Sequence, residues 1–284
     1  MTRYFSLILL VAGALVGAIA CDEAGFHRAD EPKPAPLGAP DPEAIVSLVP
    51  AATRFVLALG AEERLVAIGG DGNHPATAGT LPRVDLAGAV AVAPGTIFVP
   101  SQTGADAFSG LPAGRGVSLV EFALHDLEDL FALSRTVGRS LVGKPKADAF
   151  EAAISRPLSL IAAESDPLDR PRVAAIVSDS PFLLAGGHSF ASDLVEIAGG
   201  VSVTHGGEES TLVATPSSIR AMRPDVVVLV FPSSEEDRLA RARELVPAEI
   251  RTIELRAELD KFWSEPDPAS TARSLRAALL GTDE

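Results

Sequence analysis

The sequence predicts an α/β fold with mainly parallel sheets, on three observations. Short apolar runs rich in Val and Ile alternate with stretches of helical spacing, the pattern that parallel βαβ units produce. The strand-like runs fall in two groups, one ending at Phe122 and one beginning at Val173. Between them, Lys144–Glu164 carries Phe150, Ile154, Leu158 and Ile161 at steps of four, four and three, the stripe of a single helix joining two lobes.

The chain opens with Arg3, the apolar run Ser6–Ala20 and no acidic residue before Asp22, the layout of a secretory signal segment. That run falls short of the ~20 apolar residues of a membrane span. It ends in Ala18-Ile19-Ala20-Cys21, which resembles a bacterial lipobox, so Cys21 is the expected lipid attachment site and residues 1–20 the signal peptide. Asp22–Glu43 is polar and holds prolines 32, 34, 36, 40 and 42, so residues 21–43 are expected to be a tether that lifts the folded part off the membrane.

The first lobe, expected over 44–143, starts with an apolar strand at Ile45–Val49. Pro50 suits a first helical position, Ala51–Leu59 continues the helix, and Gly60 stops it. Leu65–Ile68 is a second strand and Gly69–Pro75 its following loop; Thr96–Val99 and Val117–Phe122 are further strands, and Leu127–Leu141 is a helix. In the linking helix, 144–164, Pro157 is expected to produce a kink or a split, with Ser155 placed to cap a second half. The second lobe, 171–284, follows with a strand at Val173–Val177, a helix at Phe190–Ala198 closed by Gly199-Gly200, a strand at Val226–Val230 and a final helix at Ala269–Leu280.

Composition narrows the chemistry. The 284 residues carry 24 basic and 38 acidic side chains, a formal charge of −14. Without residues 1–20, which include Arg3 and the only tyrosine, Tyr4, 23 basic and 38 acidic groups leave −15. That balance repels phosphate backbones and excludes nucleic acid as a partner. One cysteine closes no intramolecular disulfide and builds no Cys-rich metal cluster. No Gly-x-Ser-x-Gly elbow, phosphate loop or His-Glu-x-x-His helix is present, so no enzyme is expected and no catalytic residue is assigned.

The run from Ile45 through Pro50, Thr53 and Leu59 to Gly60, followed by Leu65 to Gly69, resembles the opening of periplasmic substrate-binding proteins of the cobalamin, haem and iron-siderophore type. Leu81–Val84, Ser180-Pro-Phe182 with Gly186-Gly187, Leu194–Val201 and Ser217–Leu229 match further along in the same order, so the resemblance covers roughly Ala44 to Leu280. It implies two Rossmann-like lobes bridged by one helix, with a ligand cleft between them. It also implies capture of a small-molecule metal chelate or corrinoid and delivery to an ABC permease with its ATPase. No cofactor of the protein's own is implied, although the transported ligand carries cobalt or iron. The place of work is outside the cytoplasm, on a membrane through the lipid anchor, facing the periplasm or the cell exterior.

Ligands of parallel α/β sheets bind beyond the carboxyl ends of the strands, which selects the candidate residues. Pro50, Ala51, Ala52 and Thr53 start a helix whose free N–H groups suit an anionic ligand group, although the same residues serve equally as a plain helix start. Asp71, Asn73 and His74 follow the second strand, and His74 precedes Pro75 where cobalamin-type relatives carry an aromatic. His188 follows Gly186-Gly187; with His74 across the cleft it would offer axial imidazoles to iron or cobalt, and otherwise it is a solvated loop histidine. Gln102 and Thr103 are candidate hydrogen-bonding residues, and Phe182, Phe231, Phe262 and Trp263 are candidate flat faces for a macrocycle.

Three departures from the family pattern stand out. Pro100 and Thr211 occupy approximate positions of cobalamin-contacting tryptophans. The mature chain has no tyrosine, so tyrosinate ligation of haem is excluded. Ala87 and Ser217 stand where relatives present permease-docking glutamates, with Asp85, Glu208 and Glu209 nearby as substitutes. The alternatives are a stand-alone ligand-binding or sensory lipoprotein without a permease, and a zinc or manganese receptor built on His74, His188 and Asp71.

Overall fold

Residues 41–70, 74–101, 116–165, 170–259, 261–264 and 267–281 are described by the structure, a computed structural model. The signal segment, Cys21, the tether up to residue 40, and the candidate residues Asp71, Asn73, Gln102 and Thr103 lie outside the described residues.

The first sheet has five strands in the order β3-β2-β1-β4-β5, every pair parallel. They are β1 (Asp41–Ser47), β2 (Leu65–Gly69), β3 (Arg83–Val84), β4 (Pro94–Pro100) and β5 (Ser118–Phe122). Ile45 and Val46 of β1 are fully buried, which is why a continuous apolar run rather than an alternating one marks this central strand. β1 begins at Asp41, so the last three residues assigned to the tether belong to the sheet. The Asp41 N–H donates to the Ala93 carbonyl, and Gly95 lets the Pro42 backbone pass where a Cβ would stand 2.4 Å from the Pro42 oxygen. Helix α1 (Pro50–Ala58) packs Phe55 and Val56 inward, and α2 (Leu86–Ala91) is capped by Asp85.

Helix α3 (Leu127–Leu133) runs through a π-helical turn, Ser134–Gly138, into α4 (Arg139–Val142). The small residues Ser134 and Gly138 are buried at that turn, where Gly138 faces the Leu59 side chain and the Ser134 hydroxyl donates to the Ala147 carbonyl. Helix α5 (Lys144–Ser165) is unbroken. Pro157 is accommodated within it, contrary to the expected split, because Ile154, Leu158 and Ile161 on one face are all held in the core.

The second sheet runs β11-β10-β6-β7-β9, with β8 beside the first half of β6. Its strands are β6 (Arg172–Asp179), β7 (Phe182–Ala185), β8 (Val201–Ser202), β9 (Thr211–Val213), β10 (Val226–Phe231) and β11 (Arg251–Arg256). β10 is buried along its whole length and parallel to both neighbours; β7 alone lies antiparallel to β6 and β9. Helices α6 (Phe190–Ile197), α7 (Pro216–Met222), α8 (Glu236–Leu245) and α9 (Ser270–Leu280) complete this half. At the carboxyl end of β6, burial pushes the Asp179 carboxyl up, but the Arg238 and Arg241 guanidiniums at 2.7 and 2.8 Å outweigh it and hold it below its usual range.

A single apolar cluster joins the halves. It runs from Ile45, Phe55 and Phe122 through Ile154 and Leu158 of α5 to Val173, Val228 and Leu275. No helix among the described residues is long and apolar enough to cross a membrane.

Candidate functional site

A cavity of about 510 Å³ is walled by both lobes. Lobe one supplies Arg54, Leu57 and Ala58 from α1 and His74, Pro75 and Ala76 from the loop after β2, and lobe two supplies Lys261 and Ser264 from the segment before α9. Arg54, Leu57 and Ala58 share a face because residues three and four apart lie together on a helix. The volume falls within the ~300–1,000 Å³ common for small-molecule sites. Arg54 and Lys261 bring positive charge to the wall; Lys261 also pairs with Glu258.

His74 lines this cavity, with 7% of its surface exposed. Its Nδ1 lies 2.8 Å from the Thr53 hydroxyl, which in turn donates to Ser47 Oγ at 2.9 Å. Ser47 ends β1 and donates to the Val49 carbonyl, so a buried chain of polar groups fixes the ring against the start of α1. Thr53 is therefore a positioning residue beneath His74, and buried Ala52 packs in the core. Pro50 and Ala51 are half-buried at the head of α1, one turn before the residues that face the cavity.

All four aromatic residues expected to offer faces to a ligand are core residues. Phe262 packs edge-on against Phe190 at 5.1 Å, Trp263 packs edge-on against Phe150 at 6.4 Å, and Phe231 lies fully buried beneath the Arg238 guanidinium. Phe182 is buried in the second lobe's own cluster with Phe231. Lys261 and Ser264, on either side of Phe262 and Trp263, are the residues that reach the cavity.

His188 takes other partners than His74. Its Nδ1 lies 3.1 Å from Asp126 Oδ2, its Nε2 3.3 Å from Asp129 Oδ2, and its ring 5.6 Å from that of His125. Gly186 and Gly187 put it there: a Cβ on either would stand within 1.9 Å of the Glu209 oxygen or 2.5 Å of the Gly207 oxygen, so only glycine lets the two backbones cross. The lobes are stitched at the same place by one backbone bond, Phe190 N–H to the His125 carbonyl at 2.7 Å, and one to a side chain, Leu127 N–H to Asp193 Oδ2 at 2.8 Å. Burial pushes the Asp193 carboxyl up to about 6; the Leu127 N–H opposes this and the Asp126 charge adds to it.

The positions compared with docking glutamates are exposed in the first turns of α2 and α7. Ala87 has no polar side chain, and the Ser217 hydroxyl is hydrogen-bonded to Thr215 at 2.9 Å. Asp85 accepts from the Gly88 N–H as the α2 cap. Sequence reasoning missed Arg54, Lys261 and Ser264; the only available signal was the 54-57-58 stripe on α1.

No family model and no curated relative matches the chain. Solved structures do share its fold. The periplasmic haem-binding protein HutB of Vibrio cholerae superposes with a TM-score of 0.65 at 17% identity, over 84% of this chain and 99% of that one. A periplasmic haem-binding protein from Pseudomonas aeruginosa gives 0.63 at 21% identity, over 85% and 94%. The periplasmic vitamin B12-binding protein BtuF of Vibrio cholerae gives 0.59 at 18% identity, over 85% and 98%.

Proposed function

We propose that the chain is an exported, lipid-anchored solute-binding protein that captures an iron chelate, haem or corrinoid and delivers it to an ABC importer. The observation that carries this reading is the cavity walled by both lobes, in a fold shared with haem- and B12-binding proteins. Arg54, Lys261 and His74 in the wall favour, within that class, a ligand bearing carboxylates and a metal centre. Binding, not bond-making, is the activity: Arg54 and Lys261 hold anionic groups, His74 offers a ring nitrogen, and the Thr53–Ser47 chain keeps its plane fixed.

The test is a thermal-shift panel of haem, cobalamin and ferric siderophores, followed by fluorescence titration of Trp263, the sole tryptophan, which sits behind the cavity wall. Ligand at ~100 times its dissociation constant adds about 2.7 kcal/mol of stability. No response to any member of the panel overturns the reading. Lipid anchoring through Cys21 is tested separately by mass spectrometry and by release of Cys21→Ser from the membrane fraction.

The absence of carboxylates at Ala87 and Ser217 favours a second reading, a stand-alone binding or sensory lipoprotein. Co-purification of a permease with the tagged chain decides for the importer, and a ligand-binding chain that recovers none decides for the second.

A further inference from the structure

The cluster around His188 lies apart from the residues that line the cavity and brings three metal-ligating side chains together. Asp126, Asp129 and His188 each present a ligand atom within 4.8 Å of the others. Two ligands each ~2.1 Å from one tetrahedral ion stand ~3.4 Å apart, close to the 3.1 Å between His188 Nδ1 and Asp126 Oδ2. The carboxylates are held in advance: Asp126 Oδ1 accepts the Asp129 N–H and Asp129 Oδ2 accepts the His125 N–H. Both nitrogens of His188 face carboxylate oxygens, an arrangement that an imidazolium satisfies by donating twice and a neutral imidazole satisfies on one side only. Among the described residues no Lys or Arg forms an ion pair with Asp126, Asp129 or Asp193.

We propose that Asp126, Asp129 and His188 bind one divalent transition-metal ion, zinc or manganese, as a clip between the lobes. Two oxygens and one imidazole suit such ions, and water completes the shell. Two ligands come from the start of α3 and one from the loop after β7, so the ion ties the first half of the chain to the second whatever occupies the cavity.

The test uses chelator-stripped full-length protein titrated calorimetrically with ZnCl2, MnCl2 and CaCl2, with Co2+ absorption reporting nitrogen ligation. Expected are one zinc or manganese ion per chain and a raised Tm. Affinity falls about a hundredfold or more in His188→Ala and in Asp129→Asn, and is retained in His74→Ala. Circular dichroism of Asp129→Asn, which keeps the size of the side chain, separates lost ligation from lost folding. The proposal is overturned by no saturable zinc or manganese binding, by binding that survives both substitutions in folded protein, or by saturation with calcium alone. The haem, cobalamin and siderophore panel on the stripped protein reads the cavity separately, so the two ideas fail independently.

Discussion

The two lobes meet at two junctions of opposite character. One is apolar: Phe55 of the first lobe packs on Phe150 of α5, which packs on Trp263 of the second lobe beside the Phe190–Phe262 pair, in the cluster that runs through both halves. The other is polar: Asp126, Asp129 and His188 converge, with Asp193 accepting the Leu127 N–H beside them. The apolar junction depends on packing, which holds over a wide range of solution conditions. The polar one depends on protonation and on ions, so the same pair of lobes is fastened once permanently and once conditionally.

Substitutions separate the two. Trp263→Ala is expected to cost about 3–5 kcal/mol, the range for deleting a buried aromatic, measured by urea unfolding. A loss below 1 kcal/mol would make the apolar junction as soft as the polar one and end the distinction. Asp193 comes next. Its folded-state pKa is raised from 3.8 to about 6, so between those values the folded chain keeps a proton that the unfolded chain releases. Its contribution is therefore fully present below about pH 4 and is lost as pH rises through 6. Asp193→Asn keeps an acceptor for Leu127 and is expected to stabilise the protein at pH 7.5 by up to about 3 kcal/mol, at ~1.4 kcal/mol per pKa unit, and to flatten stability between pH 4 and 6. A variant as pH-dependent as the parent would move the sensitivity elsewhere.

Asp126→Ala removes a helix cap and a His188 partner and is expected to cost about 1–2 kcal/mol, while Asp126→Asn recovers most of the capping share by the same unfolding measurement. Equal losses in both would assign the effect to the pair with His188. The smallest effect is expected for Arg220→Ala, whose partner Glu249 at 2.7 Å is exposed like itself: a urea midpoint within experimental error of the parent's. That value sets the baseline above which the interlobe carboxylates count as more than surface pairs.

The sequence made β1, β4, β6 and β10 legible because strands buried on both faces are continuous apolar runs, and α5 because its stripe is regular. It concealed β11, an edge strand in which only Ile253 and Leu255 face inward, and α8, a charged helix that buries only Leu239 and Ala242. β7 and β9 escaped notice because they are four and three residues long. At the site, His74 was legible as a strand-end histidine, but Thr53 was placed as a ligand residue when its hydroxyl serves that histidine. The aromatic residues misled for a physical reason: a large apolar side chain near a cleft fills the junction behind it as readily as it meets a ligand. Nothing local could pair His188 with Asp126 and Asp129, since the fold alone brings together residues so far apart in the chain.

The place where the chain joins the first sheet has a mechanical side. β1 is the middle strand of five and is hydrogen-bonded to β2 and β4 over its inner residues. A pull transmitted along the backbone from residue 40 loads both ladders lengthwise, so many bonds share the force at once, where the same pull on an edge strand held crosswise would open them one at a time. Protein fastened by its amino end is in this way gripped at a strand paired on both sides.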